Sequence, residues 1–212
     1  MLYCSINGQE TNQIDVRDRA LQYGDGIFTT ALIRQGNVLL VDKHLNRLLD
    51  GCQSMNIAID TKQLESSILK CASAFNQAVL KVTISAGSGG RGYSRIGVSE
   101  PTVIIQIFEY PKHYELWQSN GINLGVAKQK LGHSSVLPGV KHLNRLEQVF
   151  IRQELDTLTV DDVLVLDISD RVIEVSSGNV FWCIDQQWFT AAITNAGVSG
   201  LMREFILEKV PS

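Results

Sequence analysis

Cysteine is scarce in this chain and the few present are scattered. Cys4, Cys52, Cys71 and Cys183 form no C-x-x-C pair and have no histidine at ligand spacing. That excludes a zinc ribbon and a disulfide framework, leaves no metal-ligand set, and predicts four reduced, partly buried small hydrophobes. A basic excess is also missing. Nineteen Lys and Arg against 22 Asp and Glu give a net charge of -3 with interspersed signs, so no cationic stripe for nucleic acid is expected. No run is long and apolar enough to span a bilayer, and Met1 to Gly8 lacks a basic start with an apolar core, which predicts a cytoplasmic protein without membrane attachment. Low charge content is itself informative: 19% charged and 44% hydrophobic residues exclude disorder, and 212 residues suit one large domain or two small ones.

What is present reads as an α+β or α/β protein of two domains, an N-terminal α/β domain over 1–110, a connection over 111–120 around Pro111, and a C-terminal domain over 121–212. Residues 2–6 alternate as a strand and turn at Asn7-Gly8. Glycines on both sides of Asp25 permit an unusual backbone before a strand over 27–33, with another over 38–41 after Gln35-Gly36-Asn37. Asp42 is placed to cap a helix whose stripe is Leu45, Leu48, Leu49, Cys52 and Met55, and residues 61–75 repeat the pattern with Leu64, Ile68, Leu69, Ala72 and Phe75. Arg47 falls on the opposite face, solvated unless a bound anion or another domain covers it.

Gly87-Ser88-Gly89-Gly90-Arg91-Gly92 contains G-x-G-x-x-G after a strand. A dinucleotide fingerprint must open a helix, however, and here an irregular stretch leads through Pro101 to a strand over 102–108. A strand-to-strand loop offering Arg91, and also Arg95, to an anion fits better. After residue 121 come a strand over 122–127, a loop over 128–140, a helix over 144–158 opened by an Asn144 and Glu147 capping box, and strands over 162–167, 171–175, 180–184 and 188–191. Ser199 is placed to cap a last helix, whose free N–H groups would suit a phosphate.

Two residues admit two readings each. Lys141 follows Pro138-Gly139-Val140 just ahead of a helix, either as a solvated charge or as an amine desolvated enough to act as a nucleophile. Glu174 lies on a strand, facing solvent or aimed into the same pocket as Lys141. A lysine, a strand carboxylate, an arginine and an anion-ready helix start together match what pyridoxal phosphate requires.

Five stretches in order, Tyr23-Gly24-Asp25-Gly26-Ile27-Phe28, His44-Leu45-Asn46-Arg47-Leu48, Lys141-His142-Leu143-Asn144, Val172 to Phe181 around Glu174, and Ala196 to Arg203, resemble the motifs of the fold-type IV pyridoxal-phosphate enzymes. Within that family Gly87 to Ser94, Phe28-Thr29-Thr30 and Lys141 to Val149 resemble the aminodeoxychorismate lyases more than the aminotransferases, which typically carry a glutamate after the aromatic and a tyrosine where Arg145 and Leu146 stand. The resemblance implies Lys141 as Schiff-base lysine and proton shuttle, Glu174 as pyridinium partner, Arg47 with the Val198 and Ser199 amides as phosphate ligands, Thr30 near the departing group, and Arg91 at a substrate carboxylate. It implies conversion of 4-amino-4-deoxychorismate to 4-aminobenzoate and pyruvate in folate biosynthesis, by a homodimer. Family members usually continue past a helix like 201–209, so the resemblance also implies an incomplete second domain with exposed apolar surface and weaker cofactor retention. The rival readings are an amino-acid aminotransferase of the same fold and a non-catalytic anion-binding protein.

Overall fold

Residues 77–85, Gln-Ala-Val-Leu-Lys-Val-Thr-Ile-Ser, are β-branched or apolar at most positions, the composition of a strand covered by neighbours. In a computed structural model of the chain, which describes residues 1–210, this segment lies inside the larger sheet. The chain divides into two units, one holding Met1–Pro111 with Lys141–Asn144, the other holding Lys112–Val140 and the chain from Arg145 onward.

Unit 1 contains strands β1 (Tyr3–Ile6) and β2 (Gln9–Glu10), helix α1 (Arg19–Tyr23), β3 (Gly26–Arg34), β4 (Asn37–Val38), helices α2 (Val41–Ser54) and α3 (Thr61–Ala72), then β5 (Gln77–Ser85), β6 (Gly89–Arg91), β7 (Ser94–Val98) and β8 (Thr102–Glu109). Six of these form an antiparallel sheet in the order β2-β1-β8-β5-β3-β4. Strand alternation divides β3 between its two faces. Ile27, Thr29, Ala31 and Ile33 are buried, with Leu45, Leu48 and Cys52 of α2 and Leu64, Ile68 and Ala72 of α3 supplying further core. Phe28 and Thr30 point the other way, opposite Thr83 and Lys81 of β5. Cutting a fully buried member such as Leu48 or Ile84 to alanine would cost about 2–5 kcal/mol.

Unit 2 contains α4 (His113–Asn120), β9 (Leu124–Val126), α5 (Leu146–Leu155), β10 (Asp162–Leu166), β11 (Val172–Val175), β12 (Phe181–Ile184), β13 (Gln187–Thr190) and α6 (Leu201–Lys209). β10 pairs in parallel with β9 and antiparallel with β11, while β12 and β13 form a separate hairpin. Its core joins Ala127, Leu131, Ile151, Leu155, Val163, Val165, Ile173 and Ala196.

Local chemistry overrode several sequence expectations. Leu40, in a left-handed conformation (φ 54°), ends β4 early and precedes α2, so Asp42 sits in the first helical turn instead of capping it. α3 stops at Ala72, and Leu69 is 42% exposed instead of buried. The stretch thought irregular between Tyr93 and Pro101 forms β7, paired with β6. No periodic pattern marked α1, whose start is capped by the Asp18 carboxylate accepting from the Ala20 amide. Residues expected to be a bare connection form α4, where His113 packs edge to face on Tyr114 and on Trp117. The Asn144 and Glu147 box does not form: Asn144 Nδ2 donates to the Gly24 carbonyl (3.0 Å), and Glu147 Oε1 accepts from the Gly132 amide (2.9 Å). α5 buries Ile151 and Leu155, leaving Leu146, Val149 and Phe150 exposed. The turn after β12 falls at Asp185-Gln186, both at positive φ. Gly200, not Ser199, is the N-cap of α6. Exposed apolar side chains in this half of the chain include Trp188, Val126 and Met202.

Candidate active site

Unit 1 places Lys141 by backbone pairing. The Phe28 amide donates to the Lys141 carbonyl and the Leu143 amide to the Gly26 carbonyl, both at 2.9 Å, with His142 bridged antiparallel to Ile27. Residues 141–143 thus extend the sheet beside the first part of β3, and cross-strand partners share a face. Lys141 Nζ lies 4.6 Å from the Phe28 ring centroid, and Lys81 Nζ lies 5.3 Å from the same ring. An ammonium over a ring face is attracted by the negative face of the ring quadrupole. Thr30, two residues on from Phe28, lies on this same face and is exposed. Gly26 is dictated by close approach, since a Cβ there would lie 2.9 Å from the Leu143 side chain.

The opposite face of β3 holds the Thr29 hydroxyl 2.7 Å from His44 Nδ1 on α2. Burial, and then the charge of Arg47 one turn further along α2, push His44 down to about 4, so it is neutral near pH 7. Arg47 is half-buried, not fully solvated.

A third group holds the β6–β7 hairpin, which carries Arg91 exposed near its tip. Asp25 Oδ2 accepts from Arg19 Nε (2.7 Å) and Arg95 Nε (2.9 Å), and Arg95 Nη2 also pairs with Asp25 Oδ1. Burial pushes Asp25 up, but the hydrogen bonds and charges of Arg95 and Arg19 outweigh it and leave the carboxyl below its ordinary value. Arg19 further donates to the Gly92, Tyr93 and Ser94 carbonyls, and Arg95 to those of Met55 and Asn56. Arg95, weighed above as an anion ligand, is therefore a structural staple. Sequence reading saw the glycines around Asp25 and missed the carboxylate between them. An aspartate in a glycine-flanked turn, with Arg19 six residues before it, was the available signal.

Unit 2 buries Glu174, 7% exposed, on β11. Its Oε2 accepts from the Val198 amide at 3.0 Å, and the Ser199 amide donates to the Gly139 carbonyl at 3.0 Å. The solvent-facing alternative for Glu174 is thereby removed. Both amides assigned to a phosphate are engaged within the protein, so anion binding through them requires those bonds to be exchanged. Gly197 sits at φ 85° where a Cβ would meet Ile173 at 2.5 Å and Glu174 Oε2 at 3.2 Å, and Asn179 Nδ2 donates to the Val198 carbonyl at 2.9 Å. The loop is therefore shaped around the carboxylate. Among the described residues, Arg203 Nε is the buried polar side-chain atom with no partner. No cluster of His, Cys, Asp and Glu among them suits a metal, and no helix is long and apolar enough to cross a membrane.

Taken separately, unit 1 carries an amine on an aromatic face and a half-buried guanidinium, groups chemically suited to an aldehyde and a phosphate, and unit 2 carries a buried carboxylate, suited to a pyridine nitrogen. The larger class is that of the α+β fold-type IV proteins. Residues 26–212 match the family model described as amino-transferase class IV, and the chain belongs to that family. It is 36% identical to an aminodeoxychorismate lyase of Vibrio harveyi over 98% of this chain and 77% of that protein. It is 24% identical to a putative branched-chain-amino-acid aminotransferase of Methanocaldococcus jannaschii, over 96% of this chain and 73% of that protein. Among solved structures, a 4-amino-4-deoxychorismate lyase from Pseudomonas aeruginosa superposes with TM-score 0.90 at 34% identity, over 97% of this chain and 76% of that one.

Proposed function

We propose that this chain is a pyridoxal-phosphate-dependent carbon–oxygen lyase that converts 4-amino-4-deoxychorismate to 4-aminobenzoate and pyruvate. The observation that carries this reading is the 36% identity to a lyase across 98% of the chain, against 24% for the aminotransferase above. The absence of a glutamate after Phe28, where Thr29 and Thr30 stand, points the same way.

Pyridoxal phosphate, when bound, supplies an electron sink that acidifies the carbon bearing the substrate amine. Lys141 is assigned as the residue that would hold the cofactor covalently and whose amine would take the proton from that carbon. Its anchoring by two backbone bonds to β3 restricts the direction in which its amine can reach. Glu174 is assigned to the pyridine nitrogen, and its burial keeps water from competing for that contact. Arg47 is assigned to the phosphate, with the Val198 and Ser199 amides contributing if their internal bonds exchange. Thr30, on the Phe28 face, is assigned to the region of the departing group, and Arg91 to a substrate carboxylate. Loss of the proton, rupture of the ether C–O bond and release of enolpyruvate leave an aromatic ring. Aromatisation makes the elimination strongly downhill, so the protein mainly orients and moves the proton. The same reading carries a homodimer working in the cytoplasm.

Purified protein loaded with pyridoxal phosphate should show a visible absorbance band that borohydride abolishes and that Lys141→Ala lacks. A band that persists in Lys141→Ala would remove Lys141 from its role. Protein that takes up no cofactor would favour the anion-binding reading, and amino transfer to a keto acid without pyruvate release would favour the aminotransferase.

A further inference from the structure

Gly24, Asp25 and Gly26 join α1 to β3, and the two sides of this short turn hold different parts of unit 1. One side is backbone. The Gly24 carbonyl accepts from Asn144 Nδ2 at 3.0 Å, and the Gly26 carbonyl accepts from the Leu143 amide at 2.9 Å. The approach is close, since a Cβ on Gly24 would lie 2.4 Å from Asn144 Oδ1. These bonds grip the segment that carries Lys141. The other side is the Asp25 carboxylate, 10% exposed, with Arg19 and Arg95 on it. Arg95 belongs to β7, and Arg19, 3% exposed, donates to three successive carbonyls from Gly92 to Ser94. Tyr93 at the hairpin tip also meets Tyr23 of α1, with ring centroids 5.5 Å apart.

The remaining backbone groups of the turn are engaged as well. The Gly24 amide donates to Ala20, the Asp25 amide to Arg19 and the Gly26 amide to Gly24, while the Asp25 carbonyl accepts from the Ala86 amide. A turn with no spare donor or acceptor cannot shift on one side without leaving polar groups unpaired on the other. Movement of the hairpin is therefore felt at residues 141–144. We propose that Asp25 is a positioning residue that fixes the Lys141 segment relative to the β6–β7 hairpin, so that one turn sets the spacing between the Lys141 amine and Arg91. The inference rests on the reading of Lys141 as the residue that moves the proton and of Arg91 as ligand of a substrate carboxylate. A substrate held by its carboxylate presents its amine-bearing carbon to the lysine only at the right spacing, and an error of about 1 Å costs on the order of a hundredfold in rate.

Amide exchange of the full chain without cofactor reads the coupling directly. Arg95→Met removes one hairpin cation, and Arg95 has no hydrogen bond to residues 141–144. It should speed exchange at residues 89–98 and also, by about tenfold, at the Phe28 and Leu143 amides, while Ile105 and Ile107 of β8 keep their rates. Faster exchange confined to 89–98 would overturn the proposal. Asn144→Ala, at an exposed position, approaches from the other side and serves if Arg95→Met does not fold. It should speed exchange over 89–98, and unchanged rates there would equally overturn the proposal. In cofactor-loaded protein acting on 4-amino-4-deoxychorismate, Arg95→Met should lower kcat as well as raise KM, each by about tenfold. A rise in KM with kcat unchanged would mean that the hairpin alone had moved, and would overturn the proposal. Coupled exchange in a parent protein that leaves the substrate intact would instead overturn the reading of the reaction and leave the coupling standing.

Discussion

Acid should weaken unit 1 through His44. In the folded chain this imidazole stays neutral down to about pH 4, because it is half-buried against Thr29 with the Arg47 charge beside it. An unfolded histidine binds its proton near pH 6.5, roughly. The folded state therefore binds fewer protons over this window, so the contribution is complete above pH 6.5 or so and is lost as pH falls toward 4. A shift from 6.5 to about 4 corresponds to about 3 kcal/mol lost by pH 4. His44→Asn removes the titration while leaving a polar atom near the Thr29 hydroxyl. Urea unfolding of cofactor-free protein, followed by far-ultraviolet circular dichroism at neutral and acid pH, should show the parent losing about 3 kcal/mol more than His44→Asn. Carboxylates that gain protons over the same range are common to both proteins and cancel. Trp117, Trp182 and Trp188 all lie in unit 2, so tryptophan fluorescence follows that unit and should respond less to the substitution. Equal acid losses in the two proteins, within about 0.5 kcal/mol, would refute the half-buried, neutral histidine.

Asp25→Asn should release the β6–β7 hairpin, because two guanidiniums would lose their shared anion. We expect a loss of about 2–4 kcal/mol and faster amide exchange at residues 89–98, and unchanged exchange there would contradict the staple. Gly197→Ala combines positive φ with a Cβ 2.5 Å from the Ile173 methyl, so it should destabilise the protein by at least 1–3 kcal/mol or so and weaken cofactor retention, both read by melting with and without pyridoxal phosphate. A variant as stable as the parent would mean that the loop packs differently. Cys183 is exposed while Cys4 and Cys52 are buried, and burial pushes the Cys52 thiol up to about 11. A thiol reagent should therefore modify Cys183 well before Cys52, and mass spectrometry of the labelled peptides would reveal the reverse order.

The strands of the larger sheet were legible because alternation on β3 and the dense apolar run of β5 admit few other conformations. Helix stripes on α2 and α3 were legible for the same reason. What failed was decided by single backbone or side-chain events that carry no periodic signal. Leu40 in a left-handed conformation set the start of α2, Glu147 turned to the Gly132 amide in place of a cap, and Gly200 displaced Ser199 at the start of α6. At the site, the residue types pointed to a cofactor, and the ordered motifs pointed to the family. The pairings could not be read from order alone. Asp25 with Arg19 and Arg95 links residues 70 positions apart, and Glu174 with the Val198 amide links residues 24 apart. Such contacts depend on strand register, which a single sequence specifies only indirectly.

The central claim is that this chain eliminates pyruvate from 4-amino-4-deoxychorismate with Lys141 moving the proton. Incubating the cofactor-loaded protein with that substrate and following 4-aminobenzoate by chromatography and pyruvate by a coupled dehydrogenase tests it most directly. The account predicts the two products in equal amounts, with both abolished in Lys141→Ala. Turnover that persists in Lys141→Ala, or loaded protein that leaves the substrate intact while transferring its amine to a keto acid, would contradict it.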